Sequence, residues 1–407
     1  MIEPKLRFKA FSDELSHHTL MDIIVEKPSN GIMNRQSDKV TTVKHINVID
    51  MYTDDKIHVD ELSYSEYGDT VVEKCNVEIG DIFLTRSSVK ADGIAKSNIL
   101  LDDGIYVYDD HLIRLKVDKN NYIPEFVNDY LASPRFRRQF IVRAKTTAFT
   151  TIGQGDVASC TGDFPSLPEQ QKIAEFLSTI DAVIEKQKET VSAWEECIKG
   201  VMQKLFSQEV RFKADDGSEY PEWEEKNVGS LGNIVGGGTP STKKKEYWCG
   251  KTAWISSSDI NDNDIYNINM TRFITQDAID DSATKIVPKD SILIVSRVGV
   301  GKVVKASCDL CTSQDFTNII NPDGDATFLS YAVLRLMQSK LQCVQGTSIK
   351  GIPSDEIKNY ILRIPCLAEQ QKIADCLSSL DEAIEKQKAT LAAWEELKKG
   401  LLQQMFV

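Results

Sequence analysis

Basic and hydroxyl-bearing side chains occur together in several short segments of the sequence, and this combination can bind phosphate groups. Five basic residues lie between positions 135 and 145, and no acidic residue separates them. Lysine and arginine neutralise phosphate charge, short hydroxyls add hydrogen bonds to phosphate oxygens, and arginine can also form two hydrogen bonds to a guanine base. These segments predict a nucleic-acid-binding surface, although a solvated surface remains the alternative for any one of them.

The candidate contacts recur at matching places in the two halves of the chain. Arg86 and Arg297 each follow a β-rich run, and Thr146 and Thr347 lie in corresponding loops. This recurrence favours a shared binding role over a chance solvated surface. The candidate set comprises Arg35, Arg86, Ser87, Arg135, Arg137, Arg138, Lys145, Thr146, Thr147, Thr239, Ser241, Lys243, Lys244, Arg297, Thr347, Ser348 and Lys350.

Catalytic motifs are missing from the sequence. Residues 299–302 read Gly-Val-Gly-Lys but lack the spacing of a phosphate-binding loop, and residues 355–358 resemble the end of a nuclease motif without the preceding acid. All five histidines lie in the first half, which is not expected of a duplicated enzyme. No serine-hydrolase, zinc-protease or DNA-methylating motif is present. The sequence therefore predicts a chain without catalytic residues of its own.

The cysteines give no sign of a metal centre. Nine are scattered along the chain, and only Cys308 and Cys311 form a C-x-x-C pair. A structural zinc site needs about four ligands, and neither a second pair nor a nearby histidine accompanies this one. We expect reduced thiols and no metal site.

Composition and charge limit the class of protein. The 407 residues are 41% hydrophobic, which predicts more than one domain with a core of its own. The net charge of −13 argues against a protein that coats DNA by charge alone, but a local DNA-binding surface stays possible. No apolar run is long enough to span a membrane, and the N-terminus lacks the apolar region of a signal peptide. We therefore expect a cytoplasmic chain that does not enter a membrane.

A long internal repeat is the strongest pattern in the sequence. Residues 165–206 and 365–406 align without a gap and are identical at 25 of 42 positions. A shorter echo precedes each half, where residues 6–10 read Leu-Arg-Phe-Lys-Ala and residues 210–214 read Val-Arg-Phe-Lys-Ala. The chain is therefore interpreted as a duplicated unit with divergent interiors and preserved connectors.

The repeated segments are predicted to be helices that pack together. Their apolar positions alternate in steps of four and three, which is the period of a coiled coil. If the two halves are related by pseudo-two-fold symmetry, the helices run antiparallel and Gln187 faces Lys398. A helix lying on an ordinary core is the alternative. The predicted seam comprises Ile180, Ile184, Gln187, Val191, Trp194, Ile198, Leu380, Ile384, Gln387, Leu391, Trp394 and Lys398.

The segments between the repeats are predicted to be mixed α/β (α+β). Short β-rich runs alternate with Gly, Asn and Asp turns, and each segment has a helical region near its end, at 124–140 and at 328–338. The predicted architecture is two mixed domains separated by an antiparallel pair of long coiled-coil helices. Its boundaries are 1–164 for the first domain, 165–208 for the central helix, 209–364 for the second domain and 365–407 for the last helix.

Taken together, these features resemble the specificity subunit of a type I restriction–modification system. The repeated helices open with Leu-Pro-Glu-Gln-Gln-Lys-Ile-Ala at 167–174 and Leu-Ala-Glu-Gln-Gln-Lys-Ile-Ala at 367–374. The second half also contains Gly-Gly-Thr-Pro-Ser at 237–241 and Tyr-Trp at 247–248. The resemblance covers essentially the whole chain, because near-identical connectors join divergent domains.

The resemblance implies a non-catalytic DNA-recognition subunit in a system of defence against foreign DNA. Each mixed domain would be a target recognition domain that reads one half of a bipartite, asymmetric DNA target, and the helices would set the gap. The partners would be two methyltransferase subunits, which carry S-adenosylmethionine, and motor–nuclease restriction subunits; this chain itself would bind no cofactor. From Ile180 to Leu205 a helix is roughly 38 Å long, close to one turn of DNA.

Two other classes of function stay open at this point. One is a two-armed protein-binding adaptor without DNA specificity. The other is an enzyme with an unrecognised nuclease site near Glu356 and Lys358.

Overall fold

The computed structural model describes residues 4–53, 56–342 and 351–406. They form two compact units. Unit 1 comprises the chain up to Val191 together with the residues from Lys386 onward, and unit 2 comprises Ser192–Glu385. The predicted fold class, mixed α/β domains with long helices, is confirmed. Each unit contains one mixed domain and a part of both long helices.

Unit 1 is built from short strands in small sheets. The strands are β1 (Ser16–Thr19), β2 (Ser29–Asn30), β3 (Gln36–Ser37), β4 (Val43–Ile46), β5 (Ser63–Ser65), β6 (Ile82–Thr85), β7 (Ser87–Ser88), β8 (Ser97–Ile99), β9 (Ile105–Tyr108), β10 (Leu112–Leu115), β11 (Lys145–Thr146), β12 (Thr150–Thr151) and β13 (Thr161–Phe164). The hydrogen-bonded orders are β2-β10-β6-β8, β3-β5-β4-β9, β11-β12-β7 and β1-β13. Every pair of neighbouring strands described in unit 1 is antiparallel except β4 and β9, which are parallel.

The short helices of unit 1 are α1 (Asp69–Cys75), α2 (Pro124–Ala132), α3 (Pro134–Arg143) and α4 (Gln154–Ala158). Helices α2, α3 and α4 share a core with one face of β6 and β10, whereas Cys75 of α1 lies in a core with Phe83 and Leu112 on the other face. Pro124 and Pro134 begin α2 and α3, because the fixed backbone angle of proline suits the first turn of a helix. The apolar face of these two helices buries Phe126, Phe136 and Phe140 in the same core as the strand residues.

Unit 2 has a similar composition of elements. Its strands are β14 (Glu224–Asn227), β15 (Asn233–Gly236), β16 (Thr252–Ile255), β17 (Phe273–Ile274), β18 (Ile286–Val287), β19 (Ile292–Val295), β20 (Val303–Lys305), β21 (Leu310–Thr312), β22 (Phe316–Ile320) and β23 (Ile361–Ile364). The hydrogen-bonded strand orders are β15-β22-β19-β20, β17-β16-β21-β18 and β14-β23, and β16 runs parallel to β21. Its short helices are α6 (Gln276–Asp280), α7 (Ala326–Gln342) and α8 (Ser354–Lys358).

Turns of 3₁₀ helix connect several of these elements. They lie at Leu20–Ile23, Ile49–Tyr52, Val59–Glu61, Ala91–Gly93, Val228–Ser230, Lys245–Trp248 and Ser257–Asp259.

The two long helices, α5 (Leu167–Phe206) and α9 (Leu367–Met405), correspond to the sequence repeat. A buried glutamate lies in the first turn of each. Glu169 accepts two hydrogen bonds from the Arg7 guanidinium, at 2.8 and 2.7 Å, and Glu369 accepts two from Arg211, at 3.1 and 2.9 Å. In each half, the arginine of the short repeated segment (6–10 or 210–214) is therefore the ion-pair partner of the glutamate in the first turn of the long helix.

The following glutamine attaches each mixed domain to its long helix. Gln170 Nε2 donates to the Pro165 carbonyl at 2.9 Å, and its Oε1 accepts from the Ile123 amide at 3.0 Å. Gln370 makes the same contacts with the Pro365 carbonyl and the Asp325 amide. Because these amides lie just before α2 and α7, the glutamine side chain fixes the start of each of those helices.

Within unit 1 the long helices run antiparallel, because partner numbers fall on α9 as they rise on α5. Lys398 Nζ lies 2.5 Å from Asp181 Oδ1, and Gln187 Nε2 donates to Gln387 Oε1 at 2.8 Å. The expected pairing of Gln187 with Lys398 is therefore wrong. A regular heptad pattern is compatible with several registers, and this register gives the Lys398 cation a carboxylate partner instead of an amide.

The other predicted seam residues lie in the cores of the two units. Ile180, Ile184, Leu391 and Trp394 belong to the core of unit 1. Trp194, Ile198, Leu380 and Ile384 belong to the core of unit 2. Val191 is buried. In the described ranges, no helix combines the length and the apolar character needed to cross a membrane.

Candidate nucleic-acid interface

A small three-stranded sheet in unit 1 brings several of the predicted contacts together. Lys145 lies opposite Thr151, which lies opposite Ser87, and Thr146 lies opposite Thr150. The Thr146 and Thr150 hydroxyls are 3.1 Å apart. Lys145, Thr146 and Thr147 are exposed, whereas Ser87 is half-buried. Residues that lie almost sixty positions apart in the sequence thus share one surface.

Arg86 lies at the edge of this sheet, between three elements. Its amide donates to the His111 carbonyl at 2.7 Å, and its carbonyl accepts from the Ile152 amide at 3.0 Å. The side chain is exposed. These two backbone hydrogen bonds hold Arg86 between the end of β6 and the β9–β10 turn. Its exposed guanidinium therefore lies beside the sheet of β7, β11 and β12.

Arg35 lies on a separate segment that packs along the β9–β10 turn. The Ile32 amide donates to the Tyr108 carbonyl at 2.8 Å, and the Asp110 amide donates to the Ile32 carbonyl at 3.1 Å. Gly31 permits this contact, since a Cβ there would lie only 1.9 Å from the Tyr108 carbonyl oxygen. Arg35 is exposed, and its guanidinium stands 5.3 Å from the centre of the Tyr67 ring.

The basic helix α3 contributes less free charge than its sequence suggests. Arg135 forms an ion pair with Asp163 at 2.8 Å. The Arg137 guanidinium donates to the carbonyls of Ala95 and Asp92 at 2.5 and 2.6 Å, and burial lowers its pKa. The assignment of Arg137 as a DNA contact is therefore corrected to a role in holding the 91–93 turn against α3. Arg138 is exposed.

In unit 2, the Gly-Gly-Thr-Pro-Ser segment packs along the turn between β21 and β22. The Gly238 amide donates to the Thr312 carbonyl at 2.8 Å, and the Trp254 indole donates to the Gly238 carbonyl at 2.9 Å. The Thr239 hydroxyl donates to the Gln314 side chain. Ser241 and Lys243 are exposed. This segment therefore presents its polar side chains beside the β21–β22 turn.

Lys244 has partners within unit 2. Its Nζ donates to the Tyr247 hydroxyl and lies 3.6 Å from Asp281 Oδ2. The Tyr247 hydrogen bond and the nearby Asp281 carboxylate raise the pKa of this lysine. Lys243, its exposed neighbour, is the better candidate for a DNA phosphate.

Arg297 is exposed and lies just past β19. The preceding residue, Ser296, makes the two backbone bonds that Arg86 makes in unit 1: it donates to Asp315 at 2.8 Å and accepts from Ile352 at 2.7 Å. Arg297 therefore corresponds to Ser87 and not to Arg86, a shift of one residue. Thr347, Ser348 and Lys350 lie outside the described residues.

The β9–β10 turn, Asp109–His111, and the β21–β22 turn, Ser313–Asp315, escaped the sequence prediction. The first turn binds the backbone just past β6, and the second binds the backbone just past β19. Neither turn carries a cluster of basic residues from which the sequence could have predicted a binding role. Asp109, Asp110 and His111 have ligand atoms within 4.8 Å of one another, which is a spacing that can hold a metal ion. The His111 ring already lies 2.9 Å from Asp110 and 3.1 Å from Asp109, and we assign no ion to this turn.

The residues that resemble catalytic motifs are occupied by local contacts. Lys358 forms an ion pair with Asp355 at 2.8 Å, and Glu356 accepts from the Tyr360 hydroxyl at 2.7 Å. Lys302 donates to the Ile260 carbonyl at 2.9 Å. Cys311 is buried, which raises the pKa of its thiol to about 11, whereas Cys308 is exposed.

Comparison with known proteins places the chain in a family. A model described as the type I restriction modification DNA specificity domain matches residues 65–192 and again residues 220–392. The MjaIX specificity subunit of Methanocaldococcus jannaschii is 35% identical over 207 residues, which are 50% of this chain and 48% of that one. The putative MjaX specificity subunit of the same organism is 26% identical over 93% of this chain and 90% of its own length. The chain thus spans about half of the first relative and most of the second.

Solved structures show the same fold. The type I restriction–modification S subunit from M. genitalium aligns over 100% of this chain and 99% of its own, with a TM-score of 0.57 and 15% identity. A chain from a study of complex assembly and conformational transition in a type I system gives the same TM-score at 96% and 97% coverage. With two matches to the family model across most of its length, the chain belongs to the family of type I restriction–modification DNA specificity subunits.

Proposed function

We propose that each unit reads one half of a bipartite, asymmetric DNA target and that the long helices set the distance between the halves. The observation that carries this proposal is the double family match, which falls mainly in unit 1 and then mainly in unit 2. The exposed basic and hydroxyl side chains around Arg86 in unit 1 and Arg297 in unit 2 support it. Phosphate contacts from such residues position a protein on DNA, while contacts to base edges provide specificity.

The chemistry is assigned to partner chains. We propose that two methyltransferase subunits, each with S-adenosylmethionine, modify adenines in the target, and that motor–nuclease restriction subunits cleave unmodified DNA. The complex would act in the cytoplasm, where foreign DNA arrives. The adaptor and nuclease alternatives are not supported, since the matched family is one of DNA specificity subunits.

The methyltransferase subunits are proposed to bind the long helices. On α9 a shallow open groove is lined by Lys386, Ala389, Thr390, Ala393, Trp394 and Leu397. Leu397 is 46% exposed although it is apolar. An apolar surface beside charged residues is typical of a protein-binding site.

A domain exchange tests the proposal. Residues 16–164 are replaced with the corresponding domain of another specificity subunit, and the complex is assembled with its methyltransferase subunits. Sequencing of methylated adenines is expected to show a change in one half of the target while the other half and the gap stay the same. A change in both halves, or methylation without sequence preference, would contradict the proposal.

A further inference from the structure

Two exposed apolar side chains flank strands of the sheet formed by β7, β11 and β12. The register places Ser87 beside Thr151 and Ser88 beside Thr150; Val89 follows the end of β7, and Phe149 precedes the start of β12. Thr147 donates to the Phe149 carbonyl at 3.0 Å and closes the turn between β11 and β12. Phe149 is 56% exposed and Val89 is 79% exposed. The turn of this hairpin therefore presents an exposed aromatic ring.

The surroundings of this turn are basic and rich in hydroxyl groups. Thr147 and Thr151 are exposed beside it, and Thr150 points inward, being 2% exposed. Residues 86–90 and 141–152 carry four basic side chains and no acidic one; the four are Arg86, Lys90, Arg143 and Lys145. A single exposed apolar residue needs no explanation, but an aromatic ring on a segment that carries these basic and hydroxyl side chains fits a ligand that is both anionic and locally apolar.

Duplex DNA has this combination in its major groove. The groove admits a two-stranded β-ribbon, its walls are phosphates, and each A·T pair presents the C5-methyl group of thymine between polar base edges. Apolar side chains, phenylalanine among them, recognise that methyl group by contact. The β11–β12 hairpin is a ribbon of this kind with Phe149 in its turn.

We infer that Phe149 contacts a thymine methyl group in the half of the target that unit 1 reads. Lys145 and Arg86 bind the flanking phosphates, and this inference rests on the proposed function. Every methylated half contains an A·T pair, so a thymine is available on the opposite strand.

The test removes the methyl group from the DNA and the ring from the protein. The target is first mapped by sequencing methylated adenines, and the half read by unit 1 is assigned by the domain exchange. Each thymine of that half is then replaced in turn by deoxyuridine, and binding of the assembled complex to each duplex is measured. One replacement is expected to weaken binding about fourfold, the effect of one buried methyl group.

The variant Phe149→Ala is expected to bind the thymine duplex more weakly and to bind the thymine and uracil duplexes equally. Phe149→Leu keeps an apolar contact and should retain most of the difference. Val40→Ala is the matched control, because Val40 is 81% exposed in the same unit but lies outside this sheet. It should leave both affinities unchanged.

Two results would overturn the inference: undiminished discrimination by Phe149→Ala, or no sensitive thymine for the unaltered protein. Thermal unfolding of each variant checks that it folds. If the unaltered complex methylates without sequence preference, the proposed function itself fails. If specificity stands but is independent of Phe149, only the inference fails.

Discussion

At the scale of single residues, the buried charges of unit 1 are compensated by partners from distant parts of the chain. Glu169 is held by Arg7, and Arg114 lies close to Glu26 and to Asp81. Such partners explain why the sequence alone misjudged Arg137: the carbonyls that bind it belong to a turn more than forty residues earlier. Exposure depends on tertiary contacts, so a basic run predicts charge but not which cations are free.

Asp81 makes the stability of unit 1 depend on pH. It is fully buried, and burial raises the pKa of its carboxyl to about 6 although Arg114 opposes the shift. Between the ordinary value of 3.8 and about 6, the folded state holds a proton that the unfolded state has lost, so stability falls as pH rises through this window. Between pH 4.5 and pH 7.5, Asp81→Asn should remove about 2 kcal/mol of that fall.

The measurement compares unfolding free energies of the variant and the unaltered chain at pH 4.5 and pH 7.5. Asp38→Asn, a change at an exposed carboxyl of the same unit, serves as the control and should track the unaltered chain. An Asp81→Asn variant with an unchanged pH dependence would show that this carboxyl is charged throughout the range.

At the scale of elements, periodic patterns were the most reliable guide. The long helices, the two prolines that open α2 and α3, and the mixed character of the domains were all predictable, because helix periodicity and proline geometry are local. The strand orders and the register between α5 and α9 were not, because they depend on which distant side chains meet. Gln187 bonds to Gln387 and Lys398 to Asp181, a choice that the heptad pattern leaves open.

The two units provide different partners for an equivalent aspartate on the long helices, Asp181 on α5 and Asp381 on α9. In unit 1, Asp181 has Lys398 beside it, and burial raises the pKa of the nearby Asp129 to about 7. In unit 2, the Tyr331 hydroxyl donates to Asp381, the counterpart of Asp181. Phe126 packs edge-on against Phe406, and Phe328 stacks on Phe206, each pair within its own unit. Gln170 binds the Ile123 amide as Gln370 binds the Asp325 amide, and the same spacing along the chain makes Asp129 the counterpart of Tyr331. Ile198 holds the repeat position of Lys398.

These differences predict the effect of exchanging the two arrangements. Lys398→Ile removes the cation beside the Asp181 carboxylate and should cost about 2 kcal/mol of stability, because it breaks a half-buried ion pair. Adding Asp129→Tyr should restore at least half of the loss, because the tyrosine hydroxyl can donate to Asp181 as Tyr331 does to Asp381. Urea unfolding followed by tryptophan fluorescence measures both, with Lys398→Arg as the charge-preserving control. A second substitution that lowers stability further would contradict the equivalence.

At the scale of the whole molecule, the repeat and its connectors carried the prediction of family, fold and function. The residues that would distinguish one DNA target from another could not be predicted from the repeat, because they lie in loops whose conformation depends on neighbouring strands. Phe149 shows this: in the sequence it is one aromatic residue in a threonine-rich loop, and only the fold leaves its ring exposed in the turn beside the β7 strand.

The spacer role of the helices predicts the effect of lengthening one of them. Insertion of four residues, about one helical turn, next to Glu189 in α5 should lengthen the gap that the complex accepts between the two halves of its target. Mapping of methylated sites measures the gap. The same insertion in the exposed turn at 215–218 should leave it unchanged, and an unaltered gap after the α5 insertion would reject the spacer role.

The composition of unit 1 has a consequence for synthesis on the ribosome. Its core needs Leu401, Met405 and Phe406 against the buried face of α5, yet these residues are translated after all of unit 2. At 5–20 residues per second the delay is about 10–40 s. During that time the core of unit 1 lacks these three side chains, so its packing is completed only when α9 has emerged.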